Sequence, residues 1–189
     1  MRRLAVYCGS SMGSDPAFAE TARALGQEMA ARGIGLVYGG GRLGLMGVVA
    51  NAVLEGGGEV YGVIPQALID LEVAHTGLTE LHIVTSMHER KAMMTELTDA
   101  FVAIPGGIGT LDELFEAWTW NALGYHAKPF CLLDVHGFWD RMIEFLDHVT
   151  ESGFMSPARR AQLLVAHGIG EAIEKLDSAI EAAEVRMVW

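Results

Sequence analysis

Two glycine-rich turns, and the charges placed between them, are the features of this chain that could do chemistry. The first turn is Gly39-Gly40-Gly41-Arg42-Leu43-Gly44-Leu45-Met46-Gly47, and the second is Pro105-Gly106-Gly107-Ile108-Gly109-Thr110-Leu111-Asp112-Glu113. Each follows an apolar run and opens a helical pattern. Small residues at such a junction let backbone N–H groups point at a ligand, and the start of a helix favours an anion. Gly39-x-Gly41-x-x-Gly44 has the form of a dinucleotide fingerprint but follows the second strand, not the first. The acid about 20 positions on, Glu59, opens the next strand instead of ending it. No Lys-Ser or Lys-Thr follows the glycines, which excludes a Walker A loop. What remains is a phosphate or sugar cradle with Gly40, Gly41 and Arg42 as contacts, or else a tight, closely packed turn. Two such turns together make a two-point cradle, a more specific pattern than either one.

Between the turns, Ser86-Met87-His88-Glu89-Arg90-Lys91 opens another helix, with Ser86 and Glu89 spaced as a capping box. Arg90 and Lys91 fall near its start, where the helix dipole disfavours cations. The chain has 13 basic residues against 24 acidic ones, so two adjacent cations there need a reason. A bound anion supplies one; a solvated face with Arg90 paired to a carboxylate is the alternative. Glu113 is spaced from Thr110 as a second capping box. A carboxylate held at a helix start stays ionised. That state stabilises an oxocarbenium-like transition state or orients water; it is not the state of a general acid. None of the seven histidines pairs at metal-ligand spacing with a third ligand, so no metal is expected. Trp118, Trp120 and Tyr125 are expected to pack in the core or at a subunit interface rather than to stack on a base.

These groups need a scaffold, and the pattern along the chain supplies one. Apolar runs at 3–8, 34–38, 59–64, 81–84, 100–104 and 129–134 read as strands, the last of these closing the sheet. Helical patterns run from Pro16, after an Asp15 cap, to about Arg32, then over 44–54, 86–97, 110–123, 137–151, 157–166 and 170–183. Segment 66–80 reads as irregular. Strands that are apolar throughout and alternate with helices predict an α/β fold, a doubly wound, Rossmann-like parallel sheet with helices on both faces, as a single domain over 1–189. Ligands in such sheets bind beyond the C-terminal ends of the strands, where both turns fall.

Composition narrows the function. About half of the 189 residues are hydrophobic and the formal net charge is −11, which argues against binding nucleic-acid polymers or anionic membranes. No apolar run has the roughly 18 residues of a transmembrane helix, and a cytoplasmic protein is expected. Cys8 and Cys131 are far apart and read as buried thiols.

Gly39-Gly40-Gly41-x-x-Gly44-Leu45-Met46-Gly47, Met87-His88-x-Arg90-Lys91 and Pro105-Gly106-Gly107-x-Gly109-Thr110-x-x-Glu113 occur in that order. As a set they resemble the LOG (Lonely guy) family of cytokinin riboside 5′-monophosphate phosphoribohydrolases, from about Arg3 to His148. The resemblance implies a Rossmann-like homodimer that hydrolyses adenosine or N6-modified adenosine 5′-monophosphates without metal or cofactor. It implies substrate contacts at Glu72, Arg90, Lys91, Gly107, Ile108, Gly109, Thr110, Leu111, Asp112, Glu113 and Thr119, with Arg90 and Glu113 as the catalytic pair. Asp112 stands where plant members often have Glu. Sequences of this kind are also labelled lysine decarboxylases, but a pyridoxal enzyme needs a Schiff-base lysine with cofactor partners. Only Lys91, Lys128 and Lys175 are present, and none is placed for that role. The alternative function is a non-catalytic nucleotide or molybdenum-cofactor carrier on the same scaffold.

Overall fold

Short apolar segments pair into one parallel sheet in the computed structural model of the chain, which describes residues 1–69 and 74–187. In chain order the elements are β1 (Arg3–Tyr7), α1 (Pro16–Ala31), β2 (Gly35–Tyr38), α2 (Gly44–Glu55) and β3 (Val60–Pro65). A 3-10 turn (Gln66–Leu68), β4 (Glu80–Val84), α3 (Met87–Leu97), β5 (Ala100–Ala103) and α4 (Ile108–Ala122) follow. The chain continues through β6 (Phe130–Leu133), α5 (Asp140–Glu151), α6 (Pro157–Arg160), β7 (Leu163–Ala166) and α7 (Ile169–Met187). The strand order is β4-β3-β2-β1-β5-β6-β7, every neighbour parallel.

Successive side chains of a strand point to opposite faces, and β1 shows what that does here. Leu4 and Val6 enter one half of the core, with Leu25 and Met29 of α1, Leu45 and Val49 of α2, and Ile173 and Leu176 of α7. Ala5 and Tyr7 enter the other half, with Met94 of α3, Leu114 and Trp118 of α4, and Leu146 of α5. Burial on both faces is why the central strands lack polar alternation. Helices cover both sides of the sheet, the Rossmann-like arrangement. No helix among the described residues is long and apolar enough to cross a membrane.

The chain starts at the centre of the sheet, winds outward to β4, then returns to place β5 beside β1 and winds to the other edge. The direction of winding reverses between β1 and β5. Connections leave the two strands on opposite sides there, and a crevice opens at their C-terminal ends.

Two local expectations are corrected. Residues 157–166 do not form one helix: Pro157–Arg160 is a single turn, and Leu163–Ala166 is a further strand in register with Phe130–Leu133 of β6. The helix start is real, since the Ser156 hydroxyl accepts from the Arg159 N–H at 3.2 Å. The four-residue apolar run after it suits helix or strand, and the open edge of β6 decides. The last α4 expectation also shifts. The helix begins at Ile108 with Gly107 as its N-cap, so Thr110 is inside the first turn. The Thr110–Glu113 capping box is therefore not formed.

Candidate active site

A cavity of about 360 Å³ occupies the crevice between β1 and β5. Cys8, Gly9, Ser10 and Ser11, just beyond β1, form one wall. Gly107, Ile108, Gly109, Thr110, Asp112 and Glu113, at the start of α4, form the facing wall; Met46, Leu68, Met87 and Arg90 close the space.

The two glycine turns do different jobs. In the first, glycine makes room for protein. A Cβ on Gly39 would lie 2.0 Å from Arg90 Nη2, one on Gly44 2.3 Å from the Ser10 carbonyl carbon, and one on Gly47 2.0 Å from the Arg42 carbonyl oxygen. Gly40 accepts through its carbonyl from the His75 N–H (2.9 Å), and Gly41 bridges to Ala74. The first amides of α2 are also taken, since Leu45 N–H (3.0 Å) and Met46 N–H (3.4 Å) both donate to the Gly9 carbonyl. In the second turn Gly106 is packed in the same way, a Cβ there lying 2.1 Å from Thr110 Oγ1, but a Cβ on Gly107 or Gly109 would meet nothing within 4 Å among the described residues. No side chain among the described residues caps α4, which leaves its first amides as a place for an anion.

Arg90 is 4 % exposed, which excludes a solvated helix face. Its Nε donates to the Val63 carbonyl (3.1 Å) and its Nη2 to the Gly39 carbonyl (2.9 Å). These carbonyls, in β3 and just past β2, fix the plane of the guanidinium while it lines the cavity. Its helix is capped as expected, with the Ser86 hydroxyl accepting from the Glu89 N–H at 3.1 Å. Lys91 turns elsewhere: Nζ pairs with Asp112 (3.0 Å) and Glu116 (2.6 Å) of α4, tying α3 to α4. Burial opposes the Lys91 charge, but the bonds from Glu116 and Asp112 outweigh it and hold the ammonium above its ordinary range.

Glu113 lies one turn into α4, on the cavity wall. Its charge is felt at the end of β1. Burial first, then Glu113 and Glu116, push the Tyr7 hydroxyl well above the usual range, with Arg90 pulling the other way. Burial, followed by Glu113, likewise raises the Cys8 thiol. A carboxylate, a guanidinium and an open helix start thus share one space. Such a set can hold an anion at one end and stabilise developing positive charge at the other.

Of the site residues read from the sequence, Arg90, Gly107, Ile108, Gly109, Thr110, Asp112 and Glu113 come together at this cavity. Gly40, Gly41 and Arg42 are not among its lining residues, nor are Lys91 and Leu111, the latter packed against the core. Thr119 lines a separate apolar cavity of about 380 Å³ with Trp118, Leu123 and Phe154. Glu72 lies outside the described residues. Trp118 is core, stacked with Phe115 and tilted against Phe130, and Trp120 meets the edge of His88. The sequence pattern did not single out Cys8, Gly9, Ser10, Ser11 or Leu68 as site residues, and it gave Met46 and Met87 only as members of their motifs. For the two serines a signal existed: they follow β1, the strand beside which this open α/β sheet reverses. A larger cavity of about 480 Å³ lies beside Met1, Asp99 and Lys128, at the other end of the sheet, without a glycine turn or an open helix start.

The family profile described as "Possible lysine decarboxylase" matches residues 46–176. The cytokinin riboside 5′-monophosphate phosphoribohydrolase LOG of Oryza sativa subsp. japonica is 46 % identical over 188 residues, covering 100 % of this chain and 78 % of that protein. The phosphoribohydrolase of Rhodococcoides fascians is 44 % identical over 178 residues, covering 94 % of this chain and 90 % of its own. Among solved structures, a molybdenum cofactor binding protein from Rippkaea orientalis superposes with a TM-score of 0.72 at 20 % identity, covering 95 % of this chain and 97 % of its own. A Moco carrier protein from Chlamydomonas reinhardtii gives 0.70 at 20 %, covering 96 % and 98 %. At that identity the carriers show a common fold and nothing more. Decarboxylation has no support in the lysines. Lys91 is paired with carboxylates, Lys128 Nζ donates to the Thr95 carbonyl, and Lys175 Nζ bonds Glu171 and the Val165 carbonyl, each at 2.6 Å. None of the three lines the cavity between β1 and β5.

Proposed function

Because this chain belongs to the LOG family of cytokinin riboside 5′-monophosphate phosphoribohydrolases, we propose that it hydrolyses the N-glycosidic bond of a purine nucleoside 5′-monophosphate. The substrate is adenosine or N6-modified adenosine 5′-monophosphate, and the products are free base and ribose 5-phosphate. The observation that carries this function is Glu113 and Arg90 on the wall of one cavity whose far end is the uncapped start of α4.

The amides at Gly107 to Thr110 receive the 5′-phosphate, where aligned N–H groups favour an anion. Glu113, five residues past Ile108, is roughly 7.5 Å farther along the helix axis, the scale of one sugar. Its carboxylate faces the anomeric carbon, stabilises positive charge there and orients water. Water adds to C1′ as the C1′–N9 bond breaks, and the base leaves with a proton. Stabilisation of an oxocarbenium-like state by a carboxylate is the logic of glycoside hydrolysis in general. Arg90, its plane fixed by two carbonyls, supplies charge-assisted bonds to the phosphate or ribose. Glu72 contacts the ribose or base. A carrier has no use for an ionised carboxylate at the anomeric carbon.

The chain acts as one hydrolase domain, assembled as a homodimer in the cytoplasm. Two buried free thiols support a reducing compartment. Leu123 and Phe154, 66 % and 88 % exposed beside the Thr119 cavity, support an apolar subunit contact, in place of Trp118, which the core already uses. Light scattering that finds a monomer at micromolar concentration rejects the dimer. The activity is tested by incubation with AMP and an N6-modified AMP, followed by chromatography for free base. Release of base from neither rejects the hydrolase.

A further inference from the structure

Ser10 and Ser11 stand on the cavity wall opposite α4, exposed, and neither hydroxyl bonds to another group among the described residues. The backbone beneath them is gripped from both glycine turns. Gly9 N–H donates to the Pro105 carbonyl (3.1 Å), and the Gly9 carbonyl accepts from the first amides of α2. Gly44, at φ +58°, brings its Cα so close that a Cβ would fall 2.4 Å from the Ser11 nitrogen. A Cβ on Gly106 would fall 2.8 Å from the Gly9 nitrogen. Both approaches need glycine. The first glycine turn thus serves the site at one remove, by seating the serine turn against the second.

We propose that Ser10 and Ser11 bind the substrate's 5′-phosphate, forming the second jaw of a cradle whose first jaw is the N-terminus of α4. This assignment rests on the nucleotide-hydrolase function above. The serine turn abuts Pro105 and Gly106, immediately before the uncapped amides, so it lies at the anion end of the cavity and not at the Glu113 end. A phosphate has several oxygens to satisfy, and amides from one side reach only those that face them. Hydroxyls from the opposite side complete the shell with charge-assisted bonds. In a chain of net charge −11, the attraction for a dianion must be local. Neutral donors add to it without placing a cation that would form an ion pair with Glu113.

The test is equilibrium titration of wild type, Ser10→Ala, Ser11→Ala and the double variant with ribose 5-phosphate and, separately, with adenine. Each lost hydroxyl is expected to weaken ribose 5-phosphate by about tenfold, the scale of one hydrogen bond to a charged group. Adenine affinity should stay unchanged. In turnover of AMP, KM should rise with little change in kcat. Threonine at both positions keeps the hydroxyls and should restore affinity. Unchanged ribose 5-phosphate binding in the double variant overturns the proposal. So does an equal loss for adenine, which would make the turn merely structural, and so does a wild type that does not bind ribose 5-phosphate. Wild-type protein that binds ribose 5-phosphate but releases no base rejects the hydrolase function while the titration still decides the serines.

Discussion

Arg90 fills the space that a side chain at position 39 would need: a Cβ on Gly39 would lie 2.0 Å from Nη2, the nitrogen that donates to the Gly39 carbonyl at 2.9 Å. A glycine in one motif and an arginine in another are one structural unit. Gly39→Ala should displace the guanidinium and lower kcat/KM nearly as far as Arg90→Ala, although position 39 is not among the cavity's lining residues. Steady-state kinetics on AMP checks this; a Gly39→Ala enzyme with wild-type kcat/KM would uncouple the pair.

Arg90→Ala is expected to weaken nucleotide binding and turnover together, by about 1.5–3 kcal/mol for the charge-assisted bonds lost. Arg90→Lys should recover little, because a lysine cannot reproduce the planar fork held by the Val63 and Gly39 carbonyls. Unchanged KM and kcat in Arg90→Ala would remove Arg90 from the site.

Glu113→Gln keeps size and shape while removing charge. With α4 starting at Ile108, Glu113 is not its cap, so little stability should be lost. If the carboxylate stabilises the oxocarbenium-like state, kcat should fall at least about 10²-fold, the scale of one preorganised electrostatic group. Nucleotide affinity should persist, because the ground-state sugar carries no positive charge. Adenine release, a binding isotherm and a thermal melt together decide it; near-wild-type turnover in a folded variant rejects Glu113 as catalytic.

Lys91 bridges Asp112 and Glu116, the two carboxylates that flank Glu113 on α4. If it holds Arg90 and Glu113 in register rather than touching substrate, Lys91→Met should lower kcat more than it raises KM. The same substitution should cost little more in an Asp112→Asn, Glu116→Gln background, since groups in one network are not additive. A rise in KM of equal size in both backgrounds would instead make Lys91 a substrate contact.

Cys8 lines the cavity but should not be reactive. Burial and then the Glu113 charge raise its thiol, and burial pushes Cys131 up to about 12. A raised pKa keeps the thiol protonated at every pH below it, and the thiolate is the nucleophile. Iodoacetamide at pH 8 is expected to spare both cysteines and the activity until the protein is denatured. Fast alkylation of the folded protein, followed by mass spectrometry, would show the opposite.

Most elements could be read from local chemistry and periodicity alone. Apolar runs and caps such as Asp15 before Pro16, whose carboxylate accepts from the Ala17 N–H at 2.9 Å, mark most elements, because those forces act between neighbours in the chain. The three motifs also picked out Arg90 and Glu113, which the fold brings to the wall of one cavity. The remaining features came from contacts between distant parts of the chain. Leu163–Ala166 became a strand because β6 offered an open edge, a partner some thirty residues away that no local pattern encodes. The two glycine turns look alike in sequence, and only packing separates them: Arg90, Ser10 and Ser11 crowd the first, whereas in the second Gly106 is crowded by Thr110 and Gly9 but no described residue fills the space beside Gly107 and Gly109. A glycine tolerates both surroundings equally, since it has no side chain to betray which one it faces. Whether it makes room for protein or for ligand is settled by what the fold brings against it.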